Sequence, residues 1–265
     1  MPATYRVCPR LLSFLWPSNG VFSTLCYHGA LVPLTDETGL LMNRSPALPW
    51  YRQAADRLLA LMPLKAFGTM AFMAMFFWAY FAVLRHPLAP ATVMPLIAAD
   101  AWIPFSPAAF PVYASLWIYV SLPPALFSGF RPLALYGLWI AALCLFCLAL
   151  FWFFPTTVPV FAIDWEANPE LAVLRGLDLS GNACPSLHVA TAVFSAFWLD
   201  RFFQRLGAPR LLRGASALHC LLILWSTVAI RQHVLLDVLA GIAVGAVFAG
   251  LSYAHIRRAV GEKNL

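Results

Sequence analysis

Residues 132–154 read PLALYGLWIAALCLFCLALFWFF, twenty-three consecutive positions without a charged side chain. About 20 mostly apolar residues are enough for an α-helix to cross a hydrocarbon core of roughly 30 Å. The rest of the chain has the same character. Of its 265 residues, 62% are hydrophobic and 11% are charged, whereas ordinary globular domains carry about 25% charged residues. The composition is that of an all-α polytopic membrane protein.

Six spans are expected, at residues 64–84, 109–127, 132–154, 186–203, 214–232 and 235–256. The second contains Pro123 and Pro124 near its end, where a helix can stop or kink at little cost. The fourth is interrupted by Asp200 and Arg201. The expected fold is therefore a six-transmembrane-helix bundle over residues 49–265. An amphipathic lead-in helix over residues 50–63, WYRQAADRLLALMP, would lie on the inner surface. Residues 1–48 are expected to be a poorly ordered cytoplasmic arm, because turn-rich segments such as WPSNG and LTDETG break any periodicity. The apolar run after Arg10 is cut short by the same WPSNG, so it is not expected to serve as a signal peptide.

Lysine and arginine set the orientation. With the N-terminus inside, the inner side collects Arg6, Arg10, Arg44, Arg52, Arg57, Lys65, Arg131, Arg201, Arg205, Arg210, Arg213, Arg257, Arg258 and Lys263, fourteen of the 17. Arg85, Arg175 and Arg231 fall outside. The positive-inside rule then gives cytoplasmic N- and C-termini. The net charge of +6 reflects this topology, with anionic membrane lipids as its partner rather than nucleic acid. The expected location is the inner membrane of a bacterium, with the outward loops in the periplasm.

Two outward loops carry polar residues where oil would be expected. The island NACPSLHVA, residues 182–190, supplies Asn182, Ser186 and His188. The turn RQHVLLD, residues 231–237, supplies Arg231, His233 and Asp237, with Ser226 and Thr227 just before it. Ionisable groups at membrane depth are rare and mark function by default. His233 and Asp237 are four apart, so on a helix they would stand one turn above the other. The carboxylate can hold one ring nitrogen and leave the other free as a nucleophile. His188 offers a separate acid–base group. Pro185 suits a first helical turn, whose free amides attract an anion. Two imidazoles beside an anion-binding helix start describe phosphoryl transfer through a histidine, with about one phosphate's width expected between the rings.

PSLH, together with STVAIRQHVLLDVLAG, resembles the second and third signature motifs of the type-2 phosphatidic acid phosphatase superfamily. Its members are membrane lipid phosphatases and phosphotransferases related in fold to the vanadium haloperoxidases. AWIPFSPAAFPVYASLWIYVSLPPAL and FFPTTVP resemble segments of its inositolphosphotransferase-like branch, extending the likeness over roughly residues 60–256. The resemblance implies His233 as the nucleophile that becomes phosphohistidine, Asp237 as its orienting carboxylate, His188 as the acid–base group and Ser186 as a phosphate-binding hydroxyl. It implies a lipid phosphate as substrate, with water or an alcohol as acceptor. Neither a metal nor another cofactor is expected, since nucleophile, acid–base group and positioning suffice.

The sequence also departs from the family pattern. The Lys and Arg-Pro of the first motif are missing where FPTTVPV stands, and Arg131-Pro132 falls on the inner side. The usual arginine before the nucleophilic histidine is replaced near Thr227. Arg231, Arg175, Asn182 and Thr156 are then the candidates to hold the phosphate, and the alternative is a non-catalytic member that kept the fold while losing its basic clamp. Other polar residues read as structural. His219 lies fourteen residues before His233, about 20 Å deeper at 1.5 Å per residue. His255 sits near the inner end of the last span, and Cys144 and Cys147 form a CxxC inside a span, where packing is the better reading. Trp50, Trp102 and Trp165 read as interface anchors.

Overall fold

A computed structural model describes residues 48–163, 167–168 and 181–261. The expectations for the N-terminal arm, Arg175 and Trp165 lie outside those residues. Leu48–Leu265 forms one compact unit. Its described residues are helical and irregular apart from one short two-stranded ladder.

The lead-in helix α1 spans Trp50–Leu59 and buries none of its residues, as a helix lying on a surface would. Helix α2, Met62–Arg85, follows at once, and α5, Phe130–Phe153, takes in all but the last residue of the uncharged stretch 132–154. Both stop where proline comes next. His86 precedes Pro87 and Phe154 precedes Pro155, and each has left the helical region, because a proline ring crowds the helical conformation of the residue before it. The two exits lie together. Strand β1, Thr92–Val93, pairs in parallel with β2, Thr156–Thr157, and Asn182 adds a bridge to Thr156.

Helices α6, Leu187–Arg205, α7, Arg210–Ala229, and α8, Leu235–Val260, complete the bundle. Among the described residues, four helices are long and apolar enough to cross a membrane: α2, α5, α7 and α8. The other two expected spans behave differently, for different reasons. The segment at 109–127 is divided into α3, Phe110–Ala114, and α4, Leu116–Ala125. The division falls at Ser115, whose hydroxyl donates to the Val112 carbonyl at 2.6 Å. Such back-bonding bends helices. Helix α6 is unbroken but too polar to count as a span. It packs chiefly against α8, α7 and α4 and buries nine of its 19 residues, so its surroundings are mostly other helices. Asp200 and Arg201 do not end it. Asp200 accepts from Arg213 Nε at 2.7 Å, and the Arg201 guanidinium lies over the rings of Phe197 at 4.9 Å and Tyr253 at 5.2 Å.

The core lies along α6. Phe127, Tyr136, Phe194, Trp198 and Phe202 pack ring against ring, and Trp198 Nε1 donates to Ser252 Oγ at 3.0 Å, tying α6 to α8. Cys144 and Cys147 are buried in the same core as free thiols. In α2, by contrast, Phe67, Met70, Met75 and Trp78 are exposed, the pattern of a peripheral helix facing lipid. At the end opposite the ladder, Lys65 Nζ donates to the carbonyls of Arg57 and Ala125 at 2.6 and 2.7 Å. This cation satisfies orphan carbonyls at the C-terminal ends of α1 and α4.

Candidate active site

His233 and Asp237 meet through a turn rather than through helical stacking. Helix α7 ends at Ala229, and Arg231 takes a left-handed conformation at φ 63°. The amides of Gln232 and His233 then both donate back to the Thr227 carbonyl, at 3.0 and 3.1 Å. Helix α8 starts only at Leu235, two residues past His233. Asp237, in its first turn, accepts the Val234 N–H on Oδ2 at 3.0 Å. That cap folds the carboxylate back toward His233, whose Nδ1 stands 3.6 Å from the same oxygen, just beyond hydrogen-bond distance. His233 is 4% exposed and Asp237 is fully buried. The cap is needed because the opening amides of a helix have no intrahelical acceptor. The next amide, that of Leu235, donates to Asp100 Oδ1 at 2.8 Å, while the Ile97 amide donates to Asp100 Oδ2 at 2.8 Å.

His188 arrives from the first turn of α6. Ser186 caps that helix, its Oγ accepting the Val189 N–H at 3.3 Å, and the Ser186 amide donates to the Asp237 carbonyl at 3.0 Å. The two helix starts are locked side by side. Gly241 and Gly245 let the α8 backbone lie directly on α6. A Cβ on Gly241 would stand 2.6 Å from the Ser186 carbonyl oxygen, and one on Gly245 would stand 2.5 Å from that of Ala190.

The two imidazoles therefore come together, and closer than expected. His188 Nδ1 lies 3.3 Å from His233 Nε2, with ring centroids 5.5 Å apart. The rings touch, and no phosphate's width separates them. The closely packed helix starts hold them in contact. On its other edge, His188 Nε2 is 2.7 Å from the Tyr113 hydroxyl. A continuous polar chain results: Tyr113, His188, His233, Asp237.

The remaining candidates are distributed around this chain. Asn182 Nδ2 donates to the Tyr80 hydroxyl. Thr156 Oγ1 accepts the Cys184 amide at 2.8 Å, a bond within the loop platform. The Arg231 guanidinium rests over the Phe161 ring at 5.0 Å. Ser186 is fully buried beneath its own cap. His219 and His255 have partners elsewhere, in Ser115 Oγ at 3.1 Å and in Trp139 Nε1, which donates to His255 Nδ1 at 3.0 Å. Among the described residues, no group of three or more His, Cys, Asp and Glu is arranged to hold a metal ion.

A cavity of about 580 Å³ begins at this chain. His188, His233, Asn182, Gln232, Tyr80 and Tyr113 line its polar end. Apolar side chains of α2, α4 and α5 line the rest, down to Lys65. Sequence reasoning missed Tyr113, Tyr80, Gln232 and Asp100. A tyrosine near the ladder end of an apolar segment was an available signal for the first two. Gln232 stands beside the singled-out His233. Asp100 was legible only as a lone acid in a loop.

Long apolar helices surround a histidine pair, His233 buried and His188 half-buried, at one end of what is a membrane-associated protein of phosphatase or phosphotransferase-type fold. Residues 101–251, more than half of the chain, match the family model described as the PAP2 superfamily, and the chain belongs to that superfamily. No curated protein and no solved structure matches it.

Proposed function

We propose that this protein is an integral-membrane lipid phosphate phosphatase acting through a phosphohistidine. The observation that carries the reading is the junction of a polar chain and an oily cavity. His233, backed by Asp237 and facing His188, lies at the head of a space that is otherwise apolar. A phosphorylated lipid matches that division, its headgroup at the histidines and its chain along α2, α4 and α5.

His233 Nε2 attacks phosphorus, while Nδ1 turns its proton to Asp237, which stabilises the imidazolium as charge develops. His188 Nδ1 gives its proton to the departing alkoxide, and the phosphoryl group remains on His233. Water then attacks phosphorus, His188 takes the water's proton, and His233 is released with inorganic phosphate. For the first step the rings must part. The attacking nitrogen stands about 3 Å from phosphorus, and the leaving oxygen's hydrogen bond to His188 adds roughly 2.8 Å. His188 Nδ1 therefore swings away from His233 as the headgroup enters.

The phosphate is held mainly by neutral donors, Asn182 and Gln232 at the cavity and Ser186 and Thr156 around the helix start. Arg231 joins them when its side chain leaves Phe161, and Arg175 joins from the outward loop. With few fixed cations the transition state loses electrostatic stabilisation, so turnover is slow for this fold. In the membrane the chain has six crossings, with α3–α4 as the second and α6 as the fourth. Residues 49–265 form the domain, and residues 1–48 form an arm on the cytoplasmic side. Both termini are cytoplasmic, and the histidines face the periplasm of a bacterial inner membrane. The inositolphosphotransferase-like alternative replaces water with an alcohol in the second step, and the branch resemblance of residues 101–126 and 153–159 favours keeping it in view.

Purified protein given phosphatidate or a polyprenyl diphosphate is expected to release free phosphate. His233→Ala is expected to remove that activity. New phosphorylated product in the presence of an added alcohol identifies the transferase instead. Equal background activity from wild type and His233→Ala on every lipid tried sinks both versions.

A further inference from the structure

The far nitrogen of His233 faces the Asp237 carboxylate at 3.6 Å, and the far nitrogen of His188 meets a phenol. Tyr113 is 7% exposed and packs with Ala109, Ala229 and Ile230, between α3 and the end of α7. Its hydroxyl lies 2.7 Å from His188 Nε2, and the two ring centroids are 4.9 Å apart. The backbone fixes this placement. Ser106, just before α3, donates its amide to the Ala229 carbonyl at 2.9 Å, so Tyr113 is anchored to the same helix end from which the His233 turn departs.

We propose that Tyr113 is the positioning residue of His188, holding its Nδ1 edge toward the reacting phosphoryl group in both protonation states. This inference rests on the reading of His188 as the acid–base group. A hydroxyl both donates and accepts, which suits a ring whose proton count changes during turnover. In the resting pair, Asp237 fixes the direction of the chain. His233 Nδ1 carries its proton toward the carboxylate, His233 Nε2 accepts from His188 Nδ1–H, and His188 Nε2 accepts from Tyr113 O–H. When His188 is the imidazolium acid, Nε2–H donates to the Tyr113 oxygen instead, and Nδ1–H is free for the leaving alkoxide. After that transfer, Nδ1 holds a lone pair that can take a proton from water, and Nε2–H still donates to Tyr113. A carboxylate at this place could accept but not donate. Because the tyrosine contact is on the edge away from His233, it can persist while Nδ1 swings outward.

Tyr113→Phe removes the hydroxyl and keeps the ring packing. The rate of the phosphoenzyme burst is measured in full-length protein with two substrates. Phosphatidate expels a poor alkoxide that needs the acid, whereas p-nitrophenyl phosphate expels a phenolate that does not. The expected result is a burst on the order of tenfold slower with phosphatidate, part of the 10²–10⁴-fold that general acid catalysis contributes, and little change with p-nitrophenyl phosphate. An equal loss on both substrates, or no loss on either, overturns the proposal. A second measurement is independent of turnover. With 15N-histidine labelling, Tyr113→Phe is expected to shift the ring nitrogens of His188 and leave those of His219 and His255 in place. Unchanged His188 resonances overturn the proposal as well. If the wild type cleaves no phosphoester, the functional reading fails, while the nitrogen spectra still decide whether Tyr113 orients His188.

Discussion

His233 has two ring nitrogens with different surroundings, and that asymmetry suits it to nucleophilic work. Nδ1 looks into a fully buried carboxylate at 3.6 Å, and Nε2 meets His188 at 3.3 Å. Among the described residues, both His233 Nδ1 and Asp237 Oδ1 are buried atoms without a hydrogen-bond partner, an arrangement that gains as soon as the imidazole becomes positive and draws toward the carboxylate. Asp237→Asn tests the charge apart from the cap, because the amide oxygen can still accept the Val234 N–H. The expected outcome is a fall of about 10²–10⁴-fold in the rate of phosphoenzyme formation, with a melting curve close to wild type. An unchanged rate would leave Asp237 as a helix cap and nothing more.

Helix α8 is where local structure becomes site geometry. Its first amides are taken by Asp237 and Asp100, and its glycines at 241 and 245 bring the α6 backbone within contact. Placing a methyl group at Gly241 forces Ser186, and with it the start of α6, away from α8. Overpacking of this kind costs about 1–3 kcal/mol, so Gly241→Ala is expected to lower the melting temperature and weaken phosphoenzyme formation together. Gly250 is the control. It lies in the same helix with open space around its Cβ position, and alanine there should be neutral or stabilising by roughly 0.5–1 kcal/mol, since glycine is the poorer helix former. Equal melting temperatures for the two variants would remove the close approach as the device that sets the site.

The whole molecule combines a basic end with a histidine end, and its proposed orientation has a direct readout. Val160 is fully exposed in the segment after β2, and Arg210, at the start of α7, is exposed at the opposite end. In a background with the native cysteines replaced, Val160→Cys should react with a membrane-impermeant maleimide added to intact spheroplasts. Arg210→Cys should react only after permeabilisation. The reverse pattern would put the histidines on the cytoplasmic side and overturn the orientation drawn from lysine and arginine.

Much of this architecture was legible in the order of residues. Uncharged runs marked α2, α5, α7 and α8, because lipid demands length and apolarity whatever the neighbours. The two polar clusters marked His188, His233 and Asp237 as a group, since a bilayer tolerates such residues only with a reason. Other features required the folded molecule. Helix α6 carries Asp200 and Arg201 because other helices surround most of it, a fact about neighbours rather than composition. His233 and Asp237 meet through a cap before the helix instead of along its face. Tyr113 reaches His188 from seventy-five residues away. Contacts of that range depend on how closely two backbones can approach. At Gly241 and Gly245 the approach is decided by atoms that are absent, and only the packed helices show what fills the space.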